Sequence, residues 1–390
     1  MTNTPGVIVL GGHVLGYGII KIYADHNIPS VVIDTEKFRI TKYSRYCKAY
    51  YTCAGDDIVD FLIRLGREGR YNGWLVIPTD DFYLRMVSQN KQLLNEYFIV
   101  TVDNWEIVEK FYNKKYAYPL AERAGVPIPK IFYPRTENEL ERISRAIEYP
   151  CIIKPSVGHF FLKKFNTKVF ICNDWSELRE NYKNSICIMD TGDIMVQEII
   201  PGNSEHQYSV GMFYNKDRSY NHIVARRKRQ SPPDFGTGTT YAETVENPEL
   251  VVYAEKILGE AGYFGICEVE FKYDTRDRKY KFLEVNARIW RWHSIAEGAS
   301  IPFLLSLYQF LTSGKPIVKS DYLESAWRDD IRDIPTIYKL KRRKEYKKCN
   351  KKKTVHAVFN IRDIKPLIIQ ILSIPYYKIR GSTKKLTGYN

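Results

Sequence analysis

Five side chains able to handle metal-bound phosphate recur at alternate positions in two neighbouring segments of the chain. In Phe282-Leu-Glu-Val-Asn-Ala-Arg288, the side chains of Glu284, Asn286 and Arg288 share one face of an extended strand, with Leu283, Val285 and Ala287 on the other. In Ile266-Cys-Glu-Val-Glu-Phe-Lys272, Glu268 and Glu270 are paired in the same way. A turn through Thr275–Arg278 makes the two segments a hairpin that can bring three carboxylates together. Crowded anions are costly without a cation, and a carboxylate, an amide oxygen and a guanidinium in one row suit Mg2+ beside phosphate. The competing reading is the exposed polar face of a sheet.

A second signal is Lys154, inside the apolar stretch Tyr149-Pro-Cys-Ile-Ile-Lys-Pro155. A lysine buried there without an anionic partner would be costly. Lys114 and Lys115 open a helical pattern from Asn113 to Ala124 that ends at Gly125 and Val-Pro-Ile-Pro129. Alone, they read equally as surface lysines, and Arg226 to Arg229 read equally as a solvated charge run. His13, His159, His206 and His293 are isolated, and no local pattern makes any of them a ligand.

The elements that must position these groups begin with Val7–Leu10, a glycine turn from Gly11 to Gly18, a helix to His26 and a strand at Ser30–Asp34. This is the opening of a doubly wound α/β domain, although its glycines do not follow G-x-G-x-x-G. Helices near Ile58–Glu68 and Phe82–Asn90 and strands at Trp74–Pro78 and Phe98–Thr101 continue it. Beyond it, longer strands are expected at 151–154, 168–172, 194–200, 206–214, 221–229, 266–274 and 279–286, an α+β pattern. The expected divisions are 1–110, 111–200, 201–318 and 319–390.

In this order the segments resemble the ATP-grasp superfamily of carboxylate–amine and carboxylate–thiol ligases, over about residues 5–315. The resemblance implies an α/β plus α+β fold: ATP-grasp lobes behind a Rossmann-like pre-ATP-grasp domain. It implies ATP and two Mg2+ ions, with Mn2+ able to substitute, and Glu270, Glu284 and Asn286 as metal ligands. Lys114, chosen over Lys115 by counting back from Gly125-Val126, and Lys154 would hold the α- and β-phosphates. Gln197, Glu198 and Ile200 would lie in the hinge whose backbone holds adenine, with Glu205 at the ribose. Arg288 and Arg229 would stabilise an acylphosphate and the tetrahedral oxyanion formed when an amine displaces its phosphate.

One departure is the loop Ser156-Val-Gly-His-Phe-Phe-Leu-Lys-Lys164, which has a single glycine where the family has several, so Lys163 or Lys164 is expected to close over the phosphates. The segments Arg226–Gly238 and Ala287-Arg288-Ile-Trp290 resemble more narrowly a bacterial subgroup that includes D-aspartate ligases of cell-wall synthesis. A small-molecule carboxylate and an amine on a cell-envelope precursor are the partners this implies; a homo-oligomer is a separate expectation that no motif carries. A ligase or carboxylase of capsule or natural-product synthesis, and a nucleotide-binding scaffold without turnover, remain alternatives.

Composition sets the outer limits. The 390 residues are 44% hydrophobic and 27% charged, which fits a folded chain of two or three domains. Seven scattered cysteines without a C-x-x-C pair argue against a disulfide framework and a structural zinc site. The N-terminus lacks the features of a signal peptide, and Pro366–Tyr377 is too short and interrupted to span a membrane, so a cytoplasmic protein is expected. The net charge of +14 is uneven: residues 320–390 hold 18 Lys+Arg against 7 Asp+Glu, with ten basic residues between Lys339 and Lys353. The tail reads as a solvated, partly helical extension or, because the apolar Leu367–Ile374 follows it, as a contact with an anionic membrane surface; without an RNA-binding motif, nucleic acid is not expected.

Overall fold

The computed structural model describes residues 4–157, 161, 164–165, 167–232, 238–349 and 352–379. The first strands are β1 (Val7–Leu10), β2 (Ser30–Asp34), β3 (Cys47–Thr52), β4 (Leu75–Pro78) and β5 (Ile99–Val100). They form a parallel sheet in the order β3-β2-β1-β4-β5. β1, β2 and β4 are buried along their whole length, as a sheet covered on both faces requires. Strand order reverses at β1, so the carboxyl ends of β1 and β4 flank the crevice in which such sheets bind ligands. Gly11 ends β1 with φ +108°, and a Cβ there would lie 2.1 Å from the Thr79 hydroxyl, so only glycine fits.

A smaller antiparallel sheet follows, built from β6 (Ile131–Phe132), β7 (Cys151–Pro155), β8 (Phe170–Cys172) and β9 (Ile194–Glu198) in the order β6-β9-β7-β8. Its apolar side closes over Leu140 and Leu178 from two flanking helices. The third sheet contains β10 (Gln207–Asn215), β11 (Arg218–Ser231), β12 (Gly238–Thr244), β13 (Phe264–Asp274), β14 (Lys279–Asn286), β15 (Ser325–Arg328) and β16 (Lys353–His356). Its order is β14-β13-β10-β11-β12-β15-β16. Val269, Phe271, Phe282 and Val285 share one core cluster with Leu250 and Ile257 of the helix Pro248–Ala261 and with Val100 and Phe111. That shared core fixes the hairpin against the first sheet.

β12 escaped the sequence reading because it is buried on both faces and therefore shows no alternation. The segment beyond 318 also differs from the expected separate appendage. β15 and β16 extend the large sheet, and the helix Asp330–Arg342 lies against β11 and β12. Asp333 is the fastener. Fully buried, it accepts hydrogen bonds from Arg229 (Nε and Nη2, both 2.7 Å), Arg328 (2.9 Å) and Thr240 (3.0 Å).

Asp333→Ala would leave the buried Arg229 guanidinium without its counter-ion, and unfolding by urea should show a loss of about 3–5 kcal/mol. A loss below about 1 kcal/mol would mean that the extension is not tied down by this contact.

Candidate active site

The hairpin positions the acidic row through its register. β13 and β14 pair Glu268 with Asn286 and Glu270 with Glu284, so all four side chains stand on the face opposite Val269 and Val285. Glu268 accepts from the Trp292 indole N–H (2.7 Å), and the Asn286 amide donates to Glu268 (3.0 Å) and Glu270 (3.1 Å). Glu284 faces the Lys114 ammonium at 3.0 Å. Lys114 is the first residue of the helix Lys114–Arg123, which Asn113 caps by accepting from the Lys115 N–H.

Electrostatics divide these carboxylates. Burial, reinforced by the neighbouring Glu270, pushes Glu268 up to about 8, whereas Lys114 holds Glu284 down to about 2. Burial also raises Glu270, against the pull of Arg227. Among the described residues no three His, Cys, Asp or Glu side chains already converge as a metal cage. The donors nevertheless fit a hard cation: they are oxygen ligands at one sheet face, and Glu268 and Glu270 are raised first by burial and then by neighbouring carboxylates, both of which a cation would offset. Glu270, Glu284 and Asn286 are the residues that would hold it, with Glu268 beside them.

Lys154 reaches the same place from β7. Its ammonium is buried and donates to the Tyr118 hydroxyl (2.6 Å), which lies 2.9 Å from the Leu283 carbonyl of β14. Burial, with Lys114 adding repulsion, pushes Lys154 down to about 7. Two cations facing one carboxylate leave positive charge for a further anion, the arrangement that phosphate oxygens satisfy.

The expected hinge is β9 and the residues after it. Gln197, Glu198 and Ile200 are all buried there, so adenine would meet backbone rather than these side chains. The Glu198 carboxylate is committed to Lys281 (3.0 Å), Arg276 (2.7 Å) and the Lys130 N–H (2.9 Å), and the Ile200 carbonyl accepts from Lys272 (2.6 Å). Glu205 pairs with Lys228 at 2.8 Å, with Arg226 at 3.6 Å.

Two expected arginines behave differently. Arg288 bridges the hairpin to the first domain through Asp81, at 2.6 Å. Arg229 is turned away to Asp333 and the Cys349 thiol (2.7 Å), and Arg227 instead reaches Glu270 at 3.2 Å. The cause is a pair of register shifts in β11, between Arg227 and Arg229 and between Arg229 and Gln230, which break the alternation that spacing assumes. Lys164 is exposed, while Gly158, His159, Lys163 and the motif residues 233–237 lie outside the described residues. Lys168, which the sequence reading did not single out, adds positive charge near Glu284, Glu270 and Asp81, behind the larger influences of Lys114, burial and Arg288.

Across the crevice, His13 caps the helix Val14–Asp25, its Nδ1 accepting from the Leu15 N–H (3.2 Å). Nε2 then carries the proton and faces the Thr79 hydroxyl at 3.1 Å, which donates in turn to the Leu10 carbonyl. Burial keeps this ring neutral and pushes neighbouring Asp80 up to about 6. The carboxyl edge of the first sheet and the acidic hairpin therefore face one cleft, joined by Arg288.

The model for the ATP-binding domain of the carbamoyl-phosphate synthase L chain matches residues 240–307, which include the whole acidic row. A D-aspartate ligase of Enterococcus faecium is 25% identical over 344 residues, 81% of this chain and 78% of that protein. The biotin carboxylase domain of Hydrogenobacter thermophilus 2-oxoglutarate carboxylase, solved with MgADP, ADP and bicarbonate, superposes with a TM-score of 0.65 at 18% identity. It covers 81% of this chain and 71% of that one. An L-amino acid ligase of Bacillus licheniformis gives 0.62 at 15% identity, over 80% of this chain and 75% of that one. Three sheets in this order and an acidic hairpin facing two lysines give the chain the ATP-grasp fold that the biotin carboxylase and L-amino acid ligase structures share.

Proposed function

We propose that the protein is a carboxylate–amine ligase: ATP phosphorylates a small carboxylate, an amino acid of the D-aspartate type, and an amine on a cell-envelope precursor displaces the phosphate. The observation that carries this reading is the register of β13 on β14, which sets Glu270, Glu284 and Asn286 against Lys114 and Lys154. The Enterococcus faecium relative supports the amino-acid substrate and the subgroup. A cytoplasmic location accords with it.

Lys114 and Lys154 hold the phosphates, Lys154 gaining its proton as the anion arrives. Glu270, Glu284 and Asn286 would hold two divalent ions, Mg2+ or Mn2+, whose charge would offset that of the phosphate oxygens. Arg227 orients Glu270. Arg288, held by Asp81, meets the acylphosphate and the oxyanion that develops on amine attack. Phe282 and Val285 behind the row keep water from its rear. Bicarbonate as the acid substrate, making the protein a carboxylase, is the second reading; the superposition on the biotin carboxylase domain favours it.

Three outcomes test this. Phosphate release from Mg-ATP should require an amino acid from a panel that includes D-aspartate and should be insensitive to bicarbonate; the reverse dependence would establish the carboxylase. Glu284→Gln should lower kcat by at least about 100-fold while a fluorescent nucleotide still binds. Because Lys154 is pushed down to about 7, it is charged below that pH and loses its proton above it, so phosphate affinity should fall as pH rises. Measured by calorimetry with ADP, Lys154→Arg, which stays protonated, should flatten this dependence. An unchanged profile in the variant would remove Lys154 from the phosphate site.

A further inference from the structure

The C-terminal helix Lys365–Ile379 is inside out. Its inner face sets Pro366, Leu367 and Gln370 against the body of the protein, and Gln370 is only 3% exposed. Its outer face, continued by the loop before it, presents Ile361 (87% exposed), Ile364, Ile368, Ile371 and Leu372 (67%) to the surroundings. Positions 364, 368, 371 and 372 lie at helical spacing on one stripe. Single exposed apolar residues need no explanation, but a contiguous aliphatic ridge on a helix that buries its own glutamine does.

The charges around the ridge have one sign. Arg362 and Lys365 are exposed on the extension, and Lys42 and Arg45 are exposed on the segment that it packs against. Arg45 donates to the Arg362 carbonyl at 3.3 Å. The acid closest to the ridge in sequence, Asp363, is withdrawn: it is buried, accepting from the Ser44 hydroxyl (2.5 Å) and the Arg45 N–H (3.1 Å). From residue 361 onward, the sequence holds six basic residues and that one acid. In a two-fold contact between copies of the chain, these like charges would face each other. An anionic lipid surface complements them while taking up the isoleucines.

We propose that this ridge is a peripheral membrane-docking surface, with Ile361, Ile364, Ile368, Ile371 and Leu372 entering the acyl boundary and Arg362, Lys365, Lys42 and Arg45 meeting anionic headgroups. The docking segment is rigidly placed. It rests on Ile40–Tyr43, where the Thr41 hydroxyl donates to the Gly12 carbonyl (2.9 Å) at the crevice of the first domain. On the ligase reading, this sets the acceptor side of the cleft beside the bilayer, where a lipid-borne amine would arrive.

The full-length protein should co-sediment with phosphatidylcholine vesicles containing about 30% phosphatidylglycerol and bind pure phosphatidylcholine at least about tenfold more weakly. Lys365→Gln should weaken capture about fivefold, more in low salt than in high. Ile368→Ser combined with Ile371→Ser should weaken it by at least about tenfold. Both sets of changes lie on the exposed stripe, so phosphate release without vesicles should be unchanged. No capture of the unaltered protein by anionic vesicles, or equal capture of both variants, overturns the proposal. So does self-association in the ultracentrifuge that the isoleucine changes abolish, since the ridge would then serve a second copy. Vesicle capture does not depend on turnover, so a failed ligase reading would leave its result distinct.

Discussion

The antiparallel pairing of β13 with β14 is the constraint on which the molecule is organised. It places three carboxylates and an amide on one face of a sheet, where burial and a neighbouring carboxylate drive Glu268 up while the facing Lys114 holds Glu284 down. A chain can tolerate such a row if cations approach it from elsewhere. Lys114 comes from the helix linking the first two sheets, Lys154 from β7 of the small sheet, and Arg227 from β11 of the large sheet. The acidic face is thus the point on which separate elements converge. The opposite face, with Val269 and Phe271, welds the hairpin to the core shared with the first sheet.

The cleft follows from how these elements meet. Tyr118 touches both the lysine of the small sheet and the Leu283 carbonyl of the large one, and Lys272 ties the large sheet to the Ile200 carbonyl beyond the small sheet's last strand. Those contacts set the spacing between the two lobes, and Arg288 with Asp81 sets the hairpin against the first domain. A site assembled from three sheets can place charge on several sides of a small substrate, which one sheet face cannot do. The separation of carboxyl pKa values, Glu284 low and Glu268 high, follows from the same convergence: one acid has a cation beside it, and the other is buried with another acid next to it.

The C-terminal extension solves a different problem. β12 would present a long unpaired edge; β15 pairs with it, and β16 pairs with β15. Asp333 then gathers Arg229, Arg328 and Thr240 into one buried polar knot. Its four incoming hydrogen bonds use both carboxylate oxygens, which is what allows a charge to be fully buried at that depth. The helix that follows β16 has no such knot on its outer side, and there the chain exposes isoleucine.

Alternation along β13 and β14 was enough, in the sequence by itself, to determine the acidic row, because side-chain direction in a paired strand is a local property with period two. The same holds for the parallel opening of the first domain and for Lys154, whose apolar neighbours required burial. Spacing could not choose Arg227 over Arg229, because the choice depends on bulges that arise only where β11 pairs with β12. Nor could it show that Glu198 is occupied by Lys281 and Arg276. Those outcomes were left to the tertiary structure, for one physical reason: charge pairing is decided by which groups meet in three dimensions, and residues 333 and 229, or 114 and 284, are far apart along the chain.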